Sequence, residues 1–299
     1  MNFTKDSEFF LNFLVDRFDS FIKKKQDSAD TDDIFKKIFD DLNLSYNYIK
    51  YLKRNEKIIK KLTTTGAVKS SDLIQSSFVP LKIKEKIENE IGNIIQYVVE
   101  IHGHKIQLNF IIYDEDESGD FERYESYSIM VMTWLKMAFM YSRGSCSKEL
   151  TIYIYAIDDK KYLPEKQMNI LSPNNCNSAV TTSCMEKTEI IVYRREEWFK
   201  VLIHESFHSL GLDFAMYSTD IFKDKIKAIF PLKNLDITES YAEFWATIIN
   251  CLFCSFNLLD RKSNFEKFML YNSFFIQFEQ IYSLLQMVKI LNFMGIEYK

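Results

Sequence analysis

The sequence predicts an α+β protein: a helical N-terminal region, a small antiparallel or mixed sheet, then a mostly helical C-terminal lobe. Three observations predict it. Apolar residues recur at three- and four-residue spacing early in the chain, as in FFLNFLVDRFDSFI and DDIFKKIFDDLNLSYNYIKYL. Three stretches in the middle are alternating and rich in branched residues: KIQLNFIIY at 105–113, ELTIYIYAI at 149–157 and EIIVYR at 189–194. Beyond Glu196 only helical periodicity is visible. Strands gathered mid-chain, without regular helical crossovers, favour α+β over a βαβ repeat.

Taken in order, residues 1–63 read as helical and TTTGAVKSSD at 63–72 as a loop. KIKEKIENEIGNIIQYVVEI, 82–101, reads as a further helix, and HGH marks the change to strands. SYSIMVMTWLKMAFMYS reads as a buried helix. The polar connection 158–188 is long enough to be expected to line something. This gives a helical region 1–100 and a second domain 101–299, with the sheet and one key helix in 101–211 and a helical lobe in 212–299. The acidic loop DEDESGDFERYE, 114–125, nearly fits a calcium loop through Asp114, Asp116, Ser118, Gly119 and Glu125. A strand rather than a helix leads into it, so a solvated acidic turn is the preferred reading.

Composition bounds the function classes. With 47% hydrophobic and 27% charged residues, the 299-residue chain is expected to bury a core. A net charge of -4, with Lys23, Lys24, Lys25, Lys60 and Lys61 flanked by acids, argues against a nucleic-acid partner. Abundant Phe, Tyr, Ile, Lys and Asn beside 7 Gly and 4 Pro suit A+T-rich codons, as in some large DNA viruses and some parasites. MNFTKDSEFFLNF carries charges and no cleavage signature, so no signal peptide is expected there. The best apolar run, 128–141, is short and interrupted by Lys136, so no membrane partner is expected. Five cysteines, an odd number without an export signal, predict reduced thiols and a cytoplasmic location, or the virion for a virally encoded chain. Cys251 and Cys254 form a CxxC inside an apolar helical pattern and read as core residues.

The chemistry concentrates in VLIHESFHSLGLDF, 201–214. Two of the chain's four histidines, His204 and His208, stand four apart, on one face of a helix, where two imidazoles can reach one cation. Glu205 points about 100° away from His204, within reach of a water on that cation. Glu196 and Glu197 favour the helix's first turn, Trp198, Val201 and Leu202 give it an apolar face, and Gly211 is placed to end it. The bland alternative is a buried helix whose histidines satisfy hydrogen-bond networks. A second constellation is DITESYAEFWATIINCLF, 236–253, where Glu239 and Glu243 lie one turn apart. Ala242 and Ala246 share their stripe, and small residues there let two helices approach. Glu239 also fits a capping box with Asp236.

HESFH at 204–208 resembles the HExxH zinc metallopeptidases, over 196–211 and out to about 258. The metzincin continuation HExxHxxGxxH is incomplete, because Phe214 replaces its last histidine and Asp213 comes one residue early. ESYAE at 239–243 is similar to the glutamate helix of the gluzincin branch. That resemblance implies zinc held by His204, His208 and Glu239, with Glu243 orienting a ligand histidine. Glu243 as the ligand, with Glu239 capping its helix, stays open. The resemblance implies Glu205 as general base in hydrolysis of a peptide or protein substrate. Such a substrate is expected to lie extended against an edge strand, for which 149–157 or 189–194 are the available ones. Tyr217, Tyr241, His102 and His104 are oxyanion-donor candidates by residue type. The alternative function is a non-catalytic structural or virion scaffold protein that keeps zinc as a staple. Glu205 favours catalysis, since a purely structural site needs no general base.

Overall fold

The structure is a computed structural model and describes residues 5, 8–9, 11–13, 29–67, 71–113, 121–215, 217, 220–229, 235 and 237–297. Most of FFLNFLVDRFDSFI, the first seven residues of the acidic loop 114–125, and Asp236 lie outside the described residues. The architecture is α+β. In chain order the elements are α1 (Ala29–Arg54), β1 (Ile59–Thr64), α2 (Leu81–Asn89), β2 (Asn93–Ile101), β3 (His104–Ile112), α3 (Phe121–Phe139) and β4 (Glu149–Ile157). There follow α4 (Pro173–Cys176), β5 (Ala179–Thr181), β6 (Lys187–Arg194), α5 (Trp198–Ser209), α6 (Asp220–Ile229), α7 (Ile237–Asn257) and α8 (Phe265–Phe293). Two units divide the chain, Met1–Asn43 with Thr247–Lys299, and Leu44–Ala246, so the boundaries fall inside α1 and α7.

The larger unit holds the sheet, in the order β1-β2-β3-β4-β6-β5. Pairing is antiparallel for β1–β2, β2–β3 and β5–β6 and parallel for β3–β4 and β4–β6, which makes the sheet mixed. Side chains alternate across it. Ile94, Ile111, Tyr153, Tyr155, Ile191 and Tyr193 cluster on one face with Ile83 and Ile87 of α2. On the other face Phe110 meets Tyr124 of α3 at 5.3 Å and Trp198 of α5 at 6.2 Å. Covering both faces with helices explains why β4 and β6 are nearly continuous apolar runs. In the smaller unit, Phe39 of α1 packs 4.6 Å from Phe268 and 5.3 Å from Phe265 of α8.

Two strands occupy sequence expected to be helical. Helix α2 stops at Asn89, and NIIQYVVEI forms β2. Gly92 divides them: a Cβ there would stand 3.0 Å from the Ile112 carbonyl oxygen, so the backbones approach closely only without a side chain. Branched Ile94, Ile95, Val98, Val99 and Ile101 satisfy helical spacing by coincidence but suit a strand with one face fully buried and the other partly so. Strand β1 is an exposed edge whose side chains show no alternation of burial, so its sequence carried no period-two signal. The boundary expected at residue 100 falls within the β2–β3 hairpin, where Ile101 pairs with His104. His102 and Gly103 make its two-residue turn with φ of 52° and 73°, the left-handed pair a tight hairpin demands.

The cysteine expectation is corrected as well. Cys146 and Cys184 form a disulfide, their Cα atoms 4.9 Å apart. They come from the loops after α3 and after β5, which meet at the C-terminal end of α5. Nothing local in the sequence announces that meeting. Cys251 is buried in α7 as expected, and burial pushes the Cys254 thiol up to about 11. Among the described residues, no helix is long and apolar enough to cross a membrane.

Candidate metal centre

Helix α5 lies against β5 and β6. Its back face buries Phe199, Leu202, Ile203, Ser206 and Phe207. The Trp134 indole N–H donates to Ser206 Oγ at 2.7 Å, which fixes the helix on α3. Burying that face leaves His204, Glu205 and His208 on the side that lines a cavity of about 750 Å³. Glu197 sits at the N-cap in a left-handed conformation, φ 55°, so Glu196 and Glu197 precede the helix rather than forming its first turn.

The C-terminal end of α5 closes as the sequence predicts. Gly211, with φ +63°, donates its N–H to the His208 carbonyl, and Leu212 donates to Phe207 at 2.9 Å. This pair of bonds is the Schellman ending, which needs a left-handed residue. It turns the chain back so that Asp213, 4% exposed, reaches His208: Asp213 Oδ2 is 2.6 Å from Nδ1. The other Asp213 oxygen accepts from the Ala215 N–H at 3.1 Å. Phe214, at the position where metzincins carry histidine, packs its ring 4.5 Å from Tyr241 of α7.

Helix α7 brings the two glutamates to the histidines. Ala242 and Ala246 are fully buried, as the stripe of small residues suggested. Glu239 Oε2 is 3.1 Å from His204 Nε2, and Glu239 Oε1 is 3.5 Å from His208 Nε2. The two Nε2 atoms are 3.3 Å apart. Ligand atoms of His204, His208 and Glu239 thus all lie within 4.8 Å of one another. Glu243 sits on the outer nitrogen instead, 3.2 Å from His204 Nδ1, and also pairs with Lys200. Each imidazole therefore has a carboxylate at Nδ1, Glu243 for His204 and Asp213 for His208. With Nδ1–H donated outward, a neutral ring presents its Nε2 lone pair toward the shared point.

The field at this point is strongly negative, and the charges answer it. Burial pulls His204 down, but Glu239 and Glu243 outweigh it and raise the ring to about 9. His208 is treated the same way by Asp213 and Glu239 and rises to about 10. Bonds to the two histidines hold Glu239 far below the usual carboxylate range. Burial works against ionisation of Glu243, yet His204 and Lys200 bring it down to about 2. Burial lifts Glu205 to about 7, near the pH at which a carboxyl both takes and returns protons.

These shifts predict a pH dependence. The carboxylates favour protonation of both imidazoles at neutral pH when no metal is bound, and a metal needs them neutral. Metal uptake at pH 7 is therefore expected to release protons, and apparent affinity to climb until pH reaches about 9 to 10. Because both folded values exceed the unfolded value of about 6.5, these pairs stabilise the metal-free fold fully below that pH. That stability is lost as pH rises through the folded values. Calorimetric titration in buffers of different ionisation enthalpy checks the first point; an enthalpy independent of buffer contradicts it.

No family model, curated protein or solved structure matches the chain.

The other sequence candidates fall elsewhere. His102 is the hairpin-turn residue, stacked on Tyr48 at 5.7 Å. His104 is buried against Phe139, its Nδ1 2.9 Å from the Ser147 carbonyl oxygen. Tyr217 is exposed beneath Arg143 and Tyr241 packs between Phe214 and Phe207; none of the four lines the cavity. Strands 149–157 and 189–194 are internal, so neither offers a free edge. The edge on this side is β5, inside the polar connection 158–188, which does line the cavity. Ser178 and Thr182 bond toward β6, which by antiparallel alternation leaves the backbone groups of Ala179 and Thr181 facing outward. Asp213, one residue early for the metzincin ligand position, instead sits at His208 Nδ1, a role that no spacing pattern in the sequence indicates. The available signal was its position just beyond the glycine that ends α5.

Proposed function

We propose that the chain is a zinc-dependent peptidase of the HExxH, gluzincin-like kind. The carrying observation is the placement of four carboxylates around two histidines. One joins the two Nε2 atoms, two hold the Nδ1 atoms, and Glu205 is left over on the cavity wall. Two imidazole nitrogens and a carboxylate oxygen are a donor set that suits zinc. A three-residue set with a cavity beside it leaves a coordination position open, whereas a structural zinc site usually has four protein ligands. This favours catalysis over the scaffold reading.

His204, His208 and Glu239 would hold the ion, and zinc would supply Lewis-acid polarisation of a water and of the substrate carbonyl. Glu205 accepts the proton of the attacking water and returns it to the leaving amine. Asp213 and Glu243 keep the imidazoles oriented through the proton transfer. The outward N–H and C=O groups of Ala179 and Thr181 offer an extended peptide the hydrogen bonds of one more strand. That would lay its backbone along the cavity containing Glu205.

The test is hydrolysis of a broad peptide library by zinc-loaded protein, by chelated protein and by chelated protein with zinc restored. Cleavage that disappears and returns with zinc is expected. Zinc-loaded protein that cleaves nothing points to the scaffold reading.

A further inference from the structure

We propose that the Cys146–Cys184 disulfide is a redox-sensitive brace that sets the affinity of the metal centre by holding the turn that delivers Asp213 to His208. The inference rests on the zinc reading above. Its observations are separate from the ligands. Gly211 packs directly on the disulfide: a Cβ at Gly211 would lie 3.1 Å from Cys146 Sγ and 3.5 Å from Cys184 Sγ. The sulfurs thus back the left-handed turn on one side, while two residues on Asp213 bonds His208 Nδ1 at 2.6 Å.

Ser147 carries the brace into α5. Its hydroxyl donates to the Ser209 carbonyl at 2.8 Å, and its N–H donates to the Met185 carbonyl at 2.6 Å, next to Cys184. Thr188 Oγ1 donates to Ser147 Oγ at 2.6 Å. Ser147, Ser209 and Cys146 are all fully buried, so these bonds have no water to replace them. The same network joins the loop after β5 to the end of α5, and Cys184 itself lines the metal-site cavity. Opening the disulfide removes the covalent tie between the two loops directly behind the Gly211 turn. Asp213 is then positioned by the hydrogen bonds alone, those of Ser147, of the turn and its own to His208 and Ala215.

The chemistry is a two-electron exchange with a dithiol reductant. Its thiolate attacks Cys184, since Cys146 is buried and Cys184 is half-exposed toward the cavity. The S–S bond breaks, Cys146 leaves as a thiolate and takes a proton, and a mixed disulfide forms. The reductant's second thiol then displaces Cys184, which also ends as a thiol, and the reductant ends as its own disulfide.

The experiment measures zinc affinity of the full chain by competition with a chromophoric chelator. Oxidised protein is compared with protein reduced by a phosphine that is removed before titration, with reoxidised protein and with a Cys146→Ser/Cys184→Ser variant. Far-UV circular dichroism records folding in each case. We expect reduction and the double variant to weaken zinc by about 10- to 100-fold, the usual loss when a ligand's supporting group is disturbed. Reoxidation should restore it. Asp213→Asn should be weakened similarly and lose no more on reduction, because the brace acts through Asp213. Equal affinity in oxidised and reduced protein overturns the brace while leaving the zinc reading intact. So does a loss seen only when the protein unfolds, or a full reduction effect persisting in Asp213→Asn. Failure of the oxidised protein to bind zinc overturns the zinc reading and the brace with it.

Discussion

Glu205→Gln should keep its zinc at about one equivalent and lose hydrolysis by about 10²- to 10⁴-fold, the usual cost of removing a general base. Glu205 neighbours His204 in sequence but stands round the helix from the stripe that His204 and His208 share. It is not among the atoms that converge on the shared point. Glutamine keeps the shape and a hydrogen-bonding oxygen while removing the basicity that burial tunes to about 7. Stoichiometry by metal analysis and kcat on a cleaved library peptide separate the two effects. Loss of zinc together with activity would make Glu205 a ligand, and full activity would remove its role.

The second large effect distinguishes the two glutamates of α7. Glu239→Gln should nearly abolish zinc binding, because it removes the carboxylate charge whose two oxygens face the two Nε2 atoms. Glu243→Gln should weaken affinity or activity by only about 10- to 100-fold, since it loosens His204 through Nδ1. The opposite ranking would exchange their roles and return Glu239 to the helix cap. Equal indifference to both substitutions would place the third ligand elsewhere.

The parts of the site that were legible in the sequence are those fixed within one helix. His204 and His208 share a face because four residues make about one turn, and the same period joins Glu239 to Glu243 and to buried Ala242 and Ala246. That two helices would bring these faces together was implied only by resemblance. Asp213 was harder to place because it acts after the chain reverses at Gly211, and spacing along a helix says nothing past its cap. β2 reads as helix because branched residues at 94, 95, 98, 99 and 101 fit both periods when one face of a strand is buried and the other partly so. Strand β5 has three residues, too few to show any period, yet it is the edge beside the cavity. The Cys146–Cys184 pairing joins loops 38 residues apart, a contact set by the packing of α3, β5 and α5 rather than by local pattern.

The most direct test is the zinc content of the purified chain after loading and dialysis, measured beside His204→Ala with folding checked in both. About one zinc per wild-type chain and none in His204→Ala is the predicted result. An unchanged zinc content without His204, or a folded wild-type protein that retains no zinc, would contradict a metal centre built on His204, His208 and Glu239.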